Sequence, residues 1–318
     1  MECVPNFSEG RDEQIITAIA DAARAVHGAA VPHVDSNADA NRTVLTIAGS
    51  PQAVAEAAYR AIQTAAGLID MTAHQGAHPR IGATDVCPFV PLEGISLDEC
   101  TDLARSVGAR IGNELRIPAF LYGAAAASSA RRSLAYLRRG EYEGLPQRLT
   151  DPKFRPDYGP GVFNARSGAI AVGARPLLIA FNVCLGSSNV DAATEIAAKV
   201  RENSDTEHSL PGVRAIGWSM PVYGCAQVSM NLTDYIRTPP HVALERVREE
   251  AGKLGEKVTG SELIGMLPLE ALLVAGKYYW RPAGTGETTG LMQLAQTGLD
   301  GLGLEAVRTF DPQQQVLE

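Results

Sequence analysis

The sequence predicts an α+β protein made of two ferredoxin-like βαββαβ units. Three observations carry that reading. The chain has 318 residues, about twice the usual size of one domain. Its 45% hydrophobic and 20% charged residues are ordinary for a globular protein. Most tellingly, the order β-α-β-β-α occurs twice along it, and a fourth strand closes that order into the split βαβ arrangement.

The first segment, ECVPN, is short, apolar and extended. In RDEQIITAIADAARAVHG, the residues Ile15, Ile16, Ile19, Ala23 and Val26 recur at helical spacing, and Gly28 stops the helix. AAVPHVDS and the β-branched ANRTVLTIAGS follow as strands. Pro51 opens an Ala-rich helix, PQAVAEAAYRAIQTAAGLID, from its first turn. DVCPFVPL reads as a strand whose prolines place it at an edge or an end. ISLDECTDLARSVGARIGNEL carries a capping-box signature, Ser96 with Glu99. PAFLYGA is a strand and RRSLAYLRR is helical. Residues 140–168, rich in Pro, Gly and polar side chains, form a loop longer than most connections inside a domain. That loop is expected to join the two units.

The second pass begins in AIAVGARPLLIAFNVCL, two strands or one bent strand. Helix NVDAATEIAAKVREN, strands GVRAIGWSM and CAQVSMNLTD, a helix opened by Pro239 and Pro240, strand VTGSELIG and helix PLEALLVAGKYYW complete it. The tail is Gly/Thr-rich from Arg281, becomes helical around GLMQLAQTGL, and ends in FDPQQQVLE as an edge strand or arm. The domains are expected at 1–175, with the long loop, and 176–318, with the tail.

A net charge of −8, without any Lys/Arg-rich block, argues against a nucleic-acid partner. Anionic substrates would be repelled by that field, so local arginines would have to reverse it. Five scattered cysteines without a C-x-x-C pair read as small buried hydrophobes. No run of 18 apolar residues is present, so no membrane span is expected, and MECVPNFSEG does not read as a signal peptide. The expected compartment is a reducing cytoplasm.

Chemistry concentrates in HQGAHPRIGATD, residues 74–85, which holds two of the six histidines. H-x-x-x-H would present both rings to a metal on a regular helix. Here Gly76 intervenes, Pro79 disfavours helix at His78, and no Glu follows His74, so no metal is expected. His74 reads as a structural residue capping the preceding helix. His78 lies in a Gly/Pro-bounded loop between a helix and a strand, with Arg80 and Asp85 near enough to shape its charge. A neutral imidazole there could take or give a proton, or simply bond a backbone carbonyl.

HVDSNADANRTV places Asp35, Asn37, Asn41 and Arg42 at a turn between strands, either as a plain polar hairpin or with Arg42 holding a carboxylate. GPGVFNARSG offers glycines for close backbone approach and Phe163 as a flat face; a linker is the alternative. GTGETTG near Gly284 lacks the Lys and preceding strand of a phosphate loop and reads as a mobile tail.

Taken together and in order, ECVPNFSEG, VDSN…NRTV, LIDM…HQGAHPRIGATDVCPFVPL, GP…SGA…VGAR, LIAFNV, AIGW, QVSMNL and LIGMLPLEAL resemble the glutamate formiminotransferases, over residues 2 to about 280 and again in the tail. In animals that domain is fused to a cyclodeaminase. The present length leaves no room for one, so a free-standing transferase is expected.

The resemblance implies two ferredoxin-like subdomains with a ligand cleft or tunnel between them, a homodimer, and transfer of the formimino group of N-formimino-L-glutamate to tetrahydrofolate. Tetrahydrofolate is a cosubstrate and no metal is implied. The catalytic histidine falls on His78. The folate-binding stretch falls on Gly159, Pro160, Gly161, Val162, Phe163, Asn164, Ala165, Arg166, Ser167 and Gly168. Asp35 is expected to orient the His78 ring, and Arg42 and Arg80 to hold carboxylates of the donor. Many members carry Glu before the histidine, where this chain has Ala77. Alternatives are formyl transfer from N-formylglutamate, a folate-binding module without turnover, and a metallohydrolase. A separate cyclodeaminase is a further expected partner.

Overall fold

The extended start of the chain is two short strands, β1 (Glu2–Cys3) and β2 (Asn6–Phe7), parted at Val4–Pro5. The computed structural model describes residues 1–202, 209–281 and 290–317. It divides into two units, Met1–Leu177 and Leu178–Glu318.

In the first unit, helix α1 (Glu13–Arg24) starts at Asp12, whose carboxylate accepts from the backbone N–H groups of Gln14 and Ile15. Strands β3 (Ala29–Asn37) and β4 (Arg42–Gly49) form the expected hairpin, with Asn37 opposite Arg42. Helix α2 (Pro51–Leu68) has Pro51 in its first turn. It presses Ala57, Ala58, Ala61 and Ala65, all fully buried, toward the core, and their small side chains allow close approach. Strand β5 (Thr84–Val90) closes the set. It is bordered by β1 and β2, which lie beside β4, which lies beside β3, every pair antiparallel. That is the βαββαβ arrangement, with its first strand split in two.

The chain then extends this sheet. Helix α3 (Leu97–Arg110) begins with the full capping box, Ser96 with Glu99. Strand β6 (Ala119–Gly123) follows, then α4 (Leu134–Arg138), α5 (Glu141–Arg148) and β7 (Ile170–Ala174). Strand β7 lies between β5 and β6, parallel to both. The loop over 140–168 therefore does not join the units. It contains α5 and returns the chain to the first sheet; the boundary falls after Leu177.

The expectation for β5 holds only in part. Its prolines suggested an edge or an end; Pro91 does follow the last residue of the strand, Val90, yet the strand is buried throughout and paired on both sides, so it is not an edge. Pro88 cannot donate to a neighbouring strand. It lies at the gap between β1 and β2, where Val4 N–H donates to the Pro88 carbonyl at 3.1 Å. The Val4 carbonyl accepts instead from the Asn6 side-chain amide at 2.8 Å. A side chain supplies what the proline lacks.

The second unit repeats the arrangement with an unbroken first strand. Strand β8 (Ile179–Leu185) is followed by α6 (Val190–Val200), β9 (Val213–Met220), β10 (Cys225–Leu232), α7 (Pro240–Lys253) and β11 (Val258–Ile264). The sheet order is β11-β8-β10-β9, wholly antiparallel. Phe181, Val183, Val228, Leu244 and Leu263 form its core. Each such large side chain contributes about 1.5–3 kcal/mol by leaving water.

Strand β12 (Leu267–Pro268), α8 (Leu269–Tyr279), α9 (Leu291–Leu302), α10 (Pro312–Gln315) and β13 (Val316–Leu317) complete the unit. The chain end is indeed a short strand, paired in parallel with β12. The stretch GTGETTG lies, except for Gly290, outside the described residues. All five cysteines are buried free thiols.

Candidate active site

The segment between α2 and β5 is clamped to the β3–β4 turn. A Cβ on Gly76 would come within 2.3 Å of the Ala40 carbonyl oxygen, so this position has to be glycine. Asn41, at φ 46°, donates from its side-chain amide to the Gln75 carbonyl at 2.9 Å. Its side-chain oxygen accepts from Gly10 N–H at 2.9 Å. Ala77 N–H donates to the Asp39 carbonyl at 3.1 Å.

His74 is structural, but its partner is this turn and not the end of α2. Its Nδ1 accepts from Arg80 Nε at 3.1 Å, so the ring proton sits on Nε2 and is donated to the Asn41 carbonyl at 3.0 Å. Burial, opposed by that backbone bond, lowers the His74 pKa.

His78 differs in each respect. Its ring is half-buried, and Nδ1 donates to the Pro79 carbonyl at 2.8 Å. This leaves the lone pair of the neutral ring on Nε2. Burial, then the positive charges of Arg42 and Arg138, hold the imidazole well below its ordinary range, while Asp85 acts in the opposite direction. The ring is therefore neutral at physiological pH, in the form that accepts a proton.

Asp85 is the centre of charge. It is fully buried. Its carboxylate accepts from Arg42 Nη1 at 2.9 Å, from Arg138 Nη2 and Nε, and from Ile81 N–H at 3.0 Å. Burial alone would raise its pKa, but the charges of Arg138 and Arg42 and their hydrogen bonds hold it well below the usual carboxylate range. Arg42, expected to hold a carboxylate of the donor, meets that of Asp85 here. Its Nε donates to the Asn6 side-chain oxygen at 3.0 Å, and burial lowers its pKa to about 10. Asp35 is buried on β3, with His33 Nε2 3.7 Å from its carboxylate.

Arg80 sits in a second, more open cluster. Glu143 takes its two terminal nitrogens at 2.8 and 2.6 Å, and Glu141 accepts from Nη1 at 3.1 Å. A depression of about 420 Å³ opens here, lined by His74, Gln75, Gly76, Arg80, Gly140, Glu141 and Glu143.

The stretch 159–168 lies against this site. It is held at each end by a meeting of two glycines. Gly168, at φ 66°, would bring a Cβ within 2.2 Å of the Ile81 carbonyl oxygen, and it bridges to Gly82. Gly159, at φ 81°, lies against Gly112, where a Cβ would be 2.4 Å from Gly159 N. Between them, Phe163 packs on Tyr142 with ring centroids 5.3 Å apart. Tyr142 Oη donates to the Ala165 carbonyl at 2.5 Å, and Tyr142 N–H donates to the Arg80 carbonyl at 2.9 Å. Arg166 and Ser167 are tied back, the first to the Gly67 carbonyl at 2.7 Å and the second to Asn164 at 3.0 Å. Val162 is 67% exposed.

Sequence reading missed Arg138, Glu141, Tyr142 and Glu143. They lie more than 50 residues from Asp85 and Arg80, and nothing local marks them. It also missed a buried polar cluster in the second unit, where Glu262 accepts from Tyr223 Oη at 2.7 Å, Gln227 Nε2 at 3.1 Å and Asn182 Nδ2 at 3.3 Å. Among the described residues, no group of three or more His, Cys, Asp or Glu side chains could hold a metal ion.

The fold and the site thus define a two-unit βαββαβ protein, one unit of which carries an imidazole beside an arginine-caged carboxylate. Residues 1–175 match the family model of the formiminotransferase domain, N-terminal subdomain, and residues 180–318 match that of the formiminotransferase domain. The chain belongs to the formiminotransferase family. It is 40% identical over 279 residues to the glutamate formimidoyltransferase of Streptococcus pyogenes serotype M1, covering 88% of this chain and 92% of that protein. It is 40% identical over 289 residues to that of Thermoplasma acidophilum, covering 90% and 94%. The formimidoyltransferase-cyclodeaminase of Dictyostelium discoideum is 42% identical over 322 residues, all of this chain but 59% of that protein.

Proposed function

We propose that this chain is a glutamate formimidoyltransferase. It moves the formimino group of N-formimino-L-glutamate to tetrahydrofolate, giving 5-formimino-tetrahydrofolate and L-glutamate, a step in histidine degradation. One observation carries the mechanism: His78 is kept neutral, with its lone pair on Nε2, in a loop clasped to residues 159–168. The family and the relatives named for this activity support the substrates.

Nitrogen 5 of tetrahydrofolate attacks the amidine carbon of the donor. Attack leaves a proton on that nitrogen, and the glutamate nitrogen must gain one before the C–N bond breaks. His78 takes the first proton and returns it to the leaving nitrogen, serving as base and then as acid. Asp85, with its charge fixed at every working pH, stabilises the imidazolium that exists between those two steps. The stretch Gly159–Gly168 binds the folate, with Phe163 as an apolar face. Arg80 anchors a donor carboxylate. Arg42 acts on His78 through Asp85, and Asp35 is assigned the orientation of the His78 ring. Holding both substrates in place supplies much of the acceleration.

No described helix is long and apolar enough to cross a membrane. We assign the protein to the cytoplasm as a homodimer, with folate as cosubstrate, no metal, and a separate cyclodeaminase receiving the product, as the fused relatives suggest. We place the domain boundary near residue 175, a reading that the extents of the two family models support.

The test is a spectrophotometric assay of tetrahydrofolate with N-formimino-L-glutamate and, in parallel, with N-formyl-L-glutamate. Turnover of the formimino donor is expected to dominate. Preferred turnover of the formyl donor would make this a formyltransferase, and tight folate binding with neither reaction would reject the enzyme reading.

A further inference from the structure

Arg80 already grips a carboxylate as it would grip a ligand's. The two oxygens of Glu143 meet its two terminal nitrogens at 2.6 and 2.8 Å, the paired geometry in which guanidinium recognises a carboxylate. The two partners are unlike in burial. The Arg80 side chain is 7% exposed, and that of Glu143 is 63% exposed. Arg80 is fixed from behind, with Nε donating to His74 Nδ1 at 3.1 Å and Nη2 donating to the His74 carbonyl at 3.4 Å. His74 in turn is held by the Asn41 carbonyl. Glu143 arrives from the solvent side, across a depression it shares with Arg80, Gly140 and Glu141.

The backbone that delivers Glu143 is unusual. Gly140, at φ 76°, and Glu141, at φ 54°, are both left-handed, and the second is strained for a residue with a Cβ. This turn brings two glutamates of one short helix onto a single arginine. Glu141 keeps its own bond to Nη1 at 3.1 Å, so the guanidinium would not be stripped if Glu143 left.

We infer that Glu143 is a built-in competitor for the carboxylate of the donor. In the resting chain it occupies the Arg80 fork, and N-formimino-L-glutamate binds by displacing it into water, where an exposed carboxylate is readily resolvated. Only a ligand that brings its own carboxylate can complete the exchange. Glu143 thus sets both the threshold for donor binding and its restriction to acidic amino-acid derivatives. This inference rests on Arg80 being the donor anchor.

The experiment compares Michaelis constants for donor and folate in the wild-type chain, Glu143→Gln, Glu143→Ala, Arg80→Lys and a distant surface control, Asp102→Asn. If Glu143 occupies Arg80 in about 80–90% of resting molecules, its removal lowers the donor constant about five- to tenfold, because apparent affinity scales with the competent fraction. Both Glu143 variants are expected to show this, Arg80→Lys to show the opposite, and the control neither. If Arg80→Lys remains folded by circular dichroism and leaves the donor constant unchanged, the anchor reading is wrong and the competitor falls with it. A raised constant in Arg80→Lys with no fall in either Glu143 variant would overturn the competitor and keep the anchor. A fall confined to the folate constant would overturn the donor assignment, because the fork would then serve the carboxylates of the folate tail.

Discussion

The first unit contains two arginine–carboxylate clusters a few residues apart in sequence, and they differ in nearly every property except composition. At Asp85 a carboxylate without solvent exposure is enclosed by Arg42, Arg138 and the Ile81 amide. At Arg80 the relation is inverted: a buried guanidinium meets two glutamates that are 42% and 63% exposed. The same ion pair acts as a permanent charge when the anion is the buried member, and as an exchangeable contact when the anion is the wet one. Desolvation decides which. An anion sealed from water has nothing to accept it if its partners leave, whereas an exposed glutamate returns to water at little cost.

The contrast is broken most severely at its buried end. Asp85→Ala leaves two guanidinium groups without their anion, and the loss is expected to be about 3–5 kcal/mol of stability, measured as a lower midpoint in urea, together with loss of turnover. His78→Ala is expected to cost about a hundred- to ten-thousandfold in kcat while the chain stays folded by circular dichroism. Near-normal kcat in that variant would remove the imidazole from the mechanism.

A pH profile sharpens the same contrast. Burial, Arg42 and Arg138 depress the imidazole pKa, so the acid limb of kcat/KM should lie below the ordinary imidazole value of about 6.5. Arg138→Gln removes one opposing positive charge and leaves Asp85 less compensated; both changes favour the protonated ring, so the limb should move to higher pH. A limb that stays in place would show that Arg138 does not act on His78.

Linkage gives a matching stability profile. The native chain resists protonation at His78, so the unfolded chain binds that proton first. The neutral ring therefore contributes stability that is present above about pH 6.5 and declines as pH falls toward its lower native value. The depressed carboxyl of Asp85 contributes stability present above about pH 3.9 and lost only below it. Smallest of all, Glu143→Gln should shift stability by about 1 kcal/mol or less, because the glutamate is exposed; a larger loss by urea titration would make that contact a structural one.

Much of this fold is legible in sequence because its signals are local. Periodicity marks α1, prolines mark the starts of α2 and α7, Ser96 with Glu99 marks the start of α3, and the repeated order of elements yields both βαββαβ arrangements. What failed depends on contacts across the chain. The proline rule offered an edge as one of two places for β5, since it takes no account of the Asn6 side chain that caps Val4. Composition identified 140–168 as irregular but carried no information about the sheet to which it returns, so it was expected to be a connector.

The site divides in the same way. His78, Arg80 and Asp85 are readable because they share one motif. Arg138 and Glu143 are not, because only the third dimension brings them 53 and 63 residues back along the chain.

The glycine crossings at Gly112/Gly159 and Gly82/Gly168 have a consequence for how such a chain can diversify. Because both ends of 159–168 are fastened through backbone alone, its interior is a cassette between fixed clasps. Side chains within it can be rewritten while the histidine segment keeps its place. A methyl group added at any of these four glycines would come within 2.6 Å of facing backbone.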